Sequence, residues 1–343
     1  MAQFLDESHL LTYISPTEKA MPPITPTLFT HYLAWLYRAA YAFNTIKSYI
    51  TAVRSWCRLQ DRPDPALNPS LTLTNGKPTT FLPFAEALQS VKRFSDPPKA
   101  KYAVTLDQLN AIINQCSRAT TEVALGRNIA AAAALAWFAL LRVSEYTVTA
   151  AATFSTATHA CRSDIIFGPL DDAHSPTFFD FHCKDSKNSL LRDPGFTVRV
   201  YRSGTSSCAV LTLWNLFTED PQPITSPLFD FRTAAERQRN SHNTPRRAQF
   251  VSLISKVLLS TGFNDHGISS HSFRRGGATA LARAGASEAQ IMHAGRWRSG
   301  CWQGYIIANP DFAADLPRMM VASQSIPGMH WSTAPPHHPN NTP

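Results

Sequence analysis

Paired cysteines are missing from this chain: its six thiols, at positions 57, 116, 161, 183, 208 and 301, form no Cys-x-x-Cys. That scatter argues against a zinc ribbon and a disulfide framework, and fits the reduced thiols of an intracellular protein. No apolar run reaches the roughly 20 residues of a membrane-spanning helix, so no membrane partner is expected. The opening MAQFLDESHLL lacks the basic-then-apolar order of a secretory leader. The histidines stand at no metal-ligand spacing, and neither a metal nor another cofactor is expected. Acidic residues are the scarcer charge, 24 against 32 Lys plus Arg, which leaves a formal net charge of +8. A surplus of this size favours a polyanionic partner through counterion release and steering, provided that the charges line a surface.

No internal repeat interrupts the 343 residues, a length that suits two domains of ordinary size. Residues 1–95 read as a helical N-terminal domain. Its first 24 residues, with Pro16, Pro22 and Pro23, read as an arm or loop. Thr25-Pro26 then has the form of an N-cap with proline at the first helical position. Phe29, Tyr32, Leu33 and Leu36 fall on one face of the helix that follows. A second helix from near Asn44 places Ile46, Ile50, Val53 and Cys57 on its buried stripe. One position along run Lys47, Thr51, Arg54 and Arg58. This basic ridge is either a solvated face or a track along DNA phosphates. Residues 63–78 read as loop, and Phe84, Ala87, Leu88 and Val91 mark a third helix. The proline and lysine segment from Ser95 to Tyr102, with Lys99 and Lys101, breaks any helix and places a linker over 96–104.

A second domain follows over 105–324. Thr105 and Gln108 have capping-box spacing, and the apolar run from Ile129 to Leu141 is helical. Between 163 and 202 the period changes to two. Phe179, Phe181 and Cys183 alternate with polar residues, as do Phe196, Val198 and Val200, around the turn signal Asp193-Pro194-Gly195. This predicts a β-hairpin joined by a third strand over 164–167. Thr244-Pro245 predicts the cap of a helix carrying Arg246 and Arg247 in its first turn, and Ser287 with Gln290 predicts another capping box. The ending PPHHPNNTP reads as a disordered tail over 325–343. The fold class is mostly α with a small antiparallel β-sheet.

Chemistry concentrates in the second domain. Arg142 ends the apolar helix, beside Glu145; taken alone it would be a snorkelling or ion-paired arginine. In His271-Ser-Phe-Arg274, Ser270 is placed to cap a helix that holds the imidazole and guanidinium on one face. A helix N-terminus already favours an anion, and arginine meets phosphate oxygens with a bidentate fork. Trp297 follows in Gly-Arg-Trp, and Tyr305 lies eight residues further on. Singly they would be a core indole and a buried phenol.

The ordered series Arg142, hairpin lysine, His271/Arg274, Trp297 and Tyr305 resembles the catalytic signature of the tyrosine recombinases and integrases. The wording HSFRRGGATALARAG…IMHAGRWRSGCWQGYI is most similar to the eukaryotic mobile-element branch, the Crypton and DIRS-like recombinases. The resemblance extends more loosely to the N-terminal helices, where NTIKSYITAVR is similar to the family's core-binding domain. It implies a two-domain clamp on double-stranded DNA, a dimer on each site and a tetramer in synapsis, and a nuclear location if the host is eukaryotic. It also implies attack by Tyr305 on a phosphodiester to form a 3′-phosphotyrosine, with Arg142 and Arg274 neutralising the phosphate. His271 then assists deprotonation of the phenol, Trp297 donates a hydrogen bond, and Glu145 orients Arg142. A hairpin lysine protonates the leaving oxygen; Lys187 is preferred, with Lys184 as the alternative. Two arginines take the place of a metal. Lys47, Arg54, Arg58, Lys99, Lys101, Arg246 and Arg247 are the expected DNA contacts. Rival readings are strand relaxation of the topoisomerase IB kind, a domesticated DNA-binding protein whose catalysis has lapsed, and a phosphatase or nuclease acting on small phosphates.

Overall fold

The computed structural model describes residues 1–8, 12–15, 18–20, 23–72, 76, 78–97, 102–148, 153–184, 195–239, 242–265, 267–269 and 271–306. The chain divides into two compact units, Met1–Lys99 and Ala100–Pro343. Among the described residues no helix is long and apolar enough to cross a membrane, and no group of His, Cys, Asp and Glu could hold a metal ion.

In the first unit, helix α1 (Ala2–Glu7) and the antiparallel pair β1 (Thr12–Ser15) and β2 (Glu18–Ala20) occupy the stretch expected to be an arm or loop. So short a helix is marginal by itself. It persists through tertiary contacts: Phe4 and Leu5 are buried, the amino terminus donates to the Tyr32 hydroxyl, and the Trp35 indole donates to Glu7. Helix α2 (Pro26–Arg38) starts as expected, with the Thr25 hydroxyl accepting from the Leu28 amide at 3.2 Å. Its buried residues Phe29, Tyr32, Leu33 and Leu36 meet Ile46 and Ile50 of α3 (Phe43–Leu59) and Phe84 and Val91 of α4 (Leu82–Phe94). Phe29 and Phe84 stack at 4.9 Å. Residues 63–78, expected to be loop, contain β3 (Leu67–Thr72), which pairs irregularly with β4 (Pro78–Thr80). The Thr79 hydroxyl and the Phe81 amide tie this pair down on the Leu71 and Ala66 carbonyls.

The second unit is built around α6 (Val123–Phe138), buried on every side. Its alanine-rich middle lets α5 (Leu106–Ser117), α7 (Ala209–Glu219), α9 (Arg247–Ser260) and α10 (Ser272–Arg283) pack closely around it. The Thr105/Gln108 box opens α5 as expected. On one side lies an antiparallel sheet in the order β5 (Ile165–Phe167), β6 (Phe178–Cys183), β7 (Phe196–Tyr201), with Phe179, Phe181 and Cys183 turned inward. Helices α8 (Ala234–Gln238) and α11 (Glu288–Gly295) complete the unit, the latter opened by the expected Ser287/Gln290 box.

Two predicted helix starts move. Thr244 does not cap α9; Arg246 is its N-cap, without a side-chain bond. A short parallel bridge explains this, because the Val148 amide donates to the Pro245 carbonyl and the Arg247 amide to the Val148 carbonyl, holding residues 245–247 extended. Helix α10 likewise begins at Ser272, with His271 as its N-cap. The Ser272 hydroxyl reaches back to accept the Ser269 amide at 2.9 Å, so the turn before it is already satisfied; Ser270 lies outside the described residues. The predicted turn residues 193–194 and the tail 325–343 lie outside them too.

Candidate active site

Two glycines seat α10 on α6. A Cβ at Gly276 would lie 2.0 Å from the Val104 carbonyl oxygen, and one at Gly277 2.3 Å from that of Trp137. This close approach delivers the first turn of α10, with His271 and Arg274, to the C-terminal end of α6. There the chain leaves the helix at Leu140, which takes a left-handed φ of +48°, a conformation costing about 1–3 kcal/mol outside glycine. The turn exposes the Leu140 carbonyl to two guanidiniums. Arg274 donates to it and to the Gly295 carbonyl, while Arg296 donates to it at 3.0 Å and to the Ala139 carbonyl at 2.9 Å. Cations gathered at the carbonyl end of a helix complement its dipole.

Glu145 lies just beyond, in a 3₁₀ turn over Val143–Glu145. Its carboxylate accepts the Arg142 amide and the Arg142 Nη1, each at 2.8 Å, and stands 3.5 Å from Arg296. Glu145, expected to orient Arg142, thus bonds to it directly, and a second arginine, Arg296, shares the carboxylate. Burial, then repulsion from Arg296 and Arg142, pulls the Arg274 guanidinium down to about 10.

Tyr305 closes the cluster from a 3₁₀ turn, Gly300–Tyr305, that follows α11. Its ring centre lies 5.1 Å from that of Trp297 and 6.0 Å from that of His271, and the Arg274 guanidinium stands 5.3 Å from it. Trp297 is packed against the same guanidinium at 4.4 Å. The tight connection depends on Gly295, where a Cβ would fall 1.8 Å from the indole. The His271 imidazole is held below its ordinary value of 6.5 by burial first, and then by Arg275, Arg247, Arg274 and Arg142. Its Nδ1, like the Nε of Arg274 and of Arg275, is buried without a hydrogen-bond partner. Together with the excess of positive charge around them, such polar atoms suit the binding of an anion.

Arg142, His271, Arg274, Trp297 and Tyr305, up to 163 residues apart in the chain, thus come together. Arg275 and Arg296 join them and were not singled out from the sequence. Arg275, whose guanidinium lies 5.8 Å from the Tyr305 ring, could have been noticed as the second cation of the Arg-Arg pair. Of the two candidate lysines, Lys187 lies outside the described residues. Lys184 is engaged elsewhere: its ammonium meets Asp164 at 2.7 Å and the Thr156 carbonyl at 2.9 Å. Burial alone would lower it, but the Asp164 carboxylate outweighs that and holds it above the usual lysine range.

The expected DNA contacts divide. Lys47 and Arg58 are exposed on α3, and Arg247 is exposed at the start of α9. Arg54 forks onto Asp64 with bonds of 2.8–3.1 Å. Burial would raise Asp64, yet this fork and the Ala66 amide hold it below the usual carboxylate range. Arg246 is half-buried. Lys99 and Lys101 lie outside the described residues.

No family model matches this chain, and no curated protein matches it by sequence. Solved structures do. The XerH site-specific recombinase bound to difH substrate in a pre-cleavage complex aligns with a TM-score of 0.51 at 11% identity, covering 94% of this chain and 75% of that one. Its post-cleavage complex with a palindromic difH substrate gives 0.53 at 14%, covering 94% and 76%. The Tn1549 transposon integrase in complex with circular intermediate DNA gives 0.53 at 13%, covering 92% and 90%. At such identities the likeness is one of fold: the chain shares the fold of these solved recombinase and integrase structures.

Proposed function

We propose that this protein is a DNA strand-transferase, a site-specific recombinase that breaks and rejoins DNA through Tyr305. The observation that carries the reading is the meeting of the Tyr305 ring with His271, Trp297 and Arg274 at one buried, cation-rich corner. The phenol oxygen attacks phosphorus, its P–O bond replaces the P–O5′ bond, and the strand is left with a 3′-phosphotyrosine and a free 5′-hydroxyl. Bond energy is conserved, so rejoining needs no ATP. Arg142 and Arg274 face the charge on the non-bridging oxygens. His271, its basicity lowered by burial and then by the surrounding arginines, accepts the phenol proton, and the Trp297 indole, a donor only, holds the phosphate or the nucleophile. Lys187 is the proposed general acid for the 5′-oxygen, since the Asp164 pair of Lys184 opposes that role.

Solved structures that share the fold include a complex with difH substrate and one with circular intermediate DNA, which supports double-stranded DNA as the substrate. The motif wording shared with Crypton and DIRS-like elements supports integration or excision of a mobile element, in the nucleus of a eukaryotic host. Lys47, Arg58 and Arg247 are the leading phosphate contacts; Lys99, Lys101 and Arg246 remain assigned to the same role. Assembly as a dimer on a site and a tetramer in synapsis would use the apolar residues Phe312, Leu316, Met319, Met320 and Val321, which lie outside the described residues. Gel filtration with target DNA tests this: removal of 309–343 should abolish the tetramer, and an intact tetramer would refute that role for the segment.

One observation favours a second reading, a DNA-binding protein whose chemistry has lapsed. Arg274 has 0% exposure, and its terminal nitrogens donate to backbone carbonyls. Incubation with a pool of nicked suicide duplexes separates the two. A covalent adduct in the wild type, absent in Tyr305→Phe, supports catalysis; DNA retention without an adduct supports the lapsed enzyme.

A further inference from the structure

Arg296 stands at a position where a helix usually ends on glycine. It is the C-cap of α11, with φ +55° and ψ +42°, a left-handed backbone that glycine or asparagine adopts with least strain. A residue that accepts this strain while burying a charge has its side chain in use. The guanidinium makes four kinds of contact at once: with the Ala139 and Leu140 carbonyls, with its own turn at the Ala294 carbonyl, with the Glu145 carboxylate, and face-on with the Phe196 ring at 4.6 Å. Each contact reaches a different part of the site. Leu140 carries the carbonyl on which Arg274 also rests, Glu145 is the partner of Arg142, and Phe196 begins β7. Arg274 returns the link through the Gly295 carbonyl, one residue before Arg296.

Resting on the recombinase reading, we infer that Arg296 is a positioning residue: it sets the relative placement of Arg142 and Arg274 without touching the phosphate. A planar fork with donors on two nitrogens can span a carboxylate and two carbonyls; an ammonium cannot. Misplacement of catalytic groups by about 1 Å costs on the order of 10²-fold in rate, so that is the size of effect expected from its loss.

The left-handed backbone supplies an informative variant. Arg296→Gly relieves the strain while removing the guanidinium, and Arg296→Asn is a second change tolerant of the same backbone. The full chain is assayed for single-turnover adduct formation on a suicide duplex, beside a duplex whose scissile phosphate is an uncharged methylphosphonate. Arg296→Gly is expected to cleave the phosphodiester about 10²-fold more slowly, with DNA affinity within about 2-fold of the wild type and a circular-dichroism spectrum unchanged. On the methylphosphonate, which needs less cationic neutralisation, its defect should shrink to about 10-fold or less. Arg296→Asn should behave alike, and Arg296→Lys should not restore the rate. Wild-type speed in Arg296→Gly, or an equal defect on both duplexes, overturns the positioning role. A wild type that forms no adduct on either duplex overturns instead the recombinase reading on which it rests.

Discussion

Glu145 serves two guanidiniums, Arg142 through paired bonds of 2.8 Å and Arg296 at 3.5 Å, from a position almost wholly buried. Removing a buried counter-charge strands its cations at a cost of roughly 3–5 kcal/mol. Glu145→Gln should therefore lower the urea-derived unfolding free energy by about 3 kcal/mol; a loss under about 1 kcal/mol would mean that backbone carbonyls alone hold the arginines. His271 makes a pH prediction. Its folded value lies below 6.5, so the imidazole contributes stability above 6.5 that is lost as pH falls through the lowered value. The same sign governs chemistry, because only the neutral ring accepts the phenol proton. The acid limb of kcat/KM, which reports the free enzyme, should inflect below pH 6.5. An inflection above it would remove His271 from proton transfer.

At the scale of elements, the contact between α10 and α6 decides where His271 and Arg274 stand. Gly277→Ala would drive a methyl group toward the Trp137 carbonyl, 2.3 Å from where the Cβ must sit. Overpacking of this kind costs about 1–3 kcal/mol, and the adduct rate should fall with the melting temperature; unchanged values of both would show that α10 does not lean on α6 here. Much of this architecture is legible in the sequence. Helices α2, α3 and α4 carry stripes at helical spacing, β6 and β7 alternate, and the boxes at Thr105 and Ser287 are local signals, so each could be read directly. Helix α1 and the β3–β4 pair could not. The first is held by distant Tyr32 and Trp35, and the second contains Pro69 and a shifted register. The shift of α9 to Arg247 depends on Val148, nearly a hundred residues away. In the site, motif order brought out Arg142, His271, Arg274, Trp297 and Tyr305. Arg296 stayed hidden because its signal is a backbone angle, and the engagement of Lys184 because Asp164 lies on a separate segment.

For the molecule as a whole, under the proposed function the net charge of +8 would act through the basic residues exposed on its surface. Lys47 and Arg58 are exposed, whereas Arg54 is committed to Asp64. Lys47→Ala and Arg58→Ala should each reduce the salt slope of DNA binding by about one unit. Arg54→Ala should leave the slope alone and cost the first unit up to about 1 kcal/mol. Unchanged slopes for Lys47 and Arg58 would make the ridge a solvated face. The proposed function depends most on the identity of the nucleophile. Trapping the protein on suicide DNA, digesting both partners and locating the nucleotide-bearing peptide by mass spectrometry tests it directly. A 3′-linked phosphonucleotide on Tyr305 is the predicted result; attachment to any other residue, or DNA cleavage with no linked peptide, would contradict it.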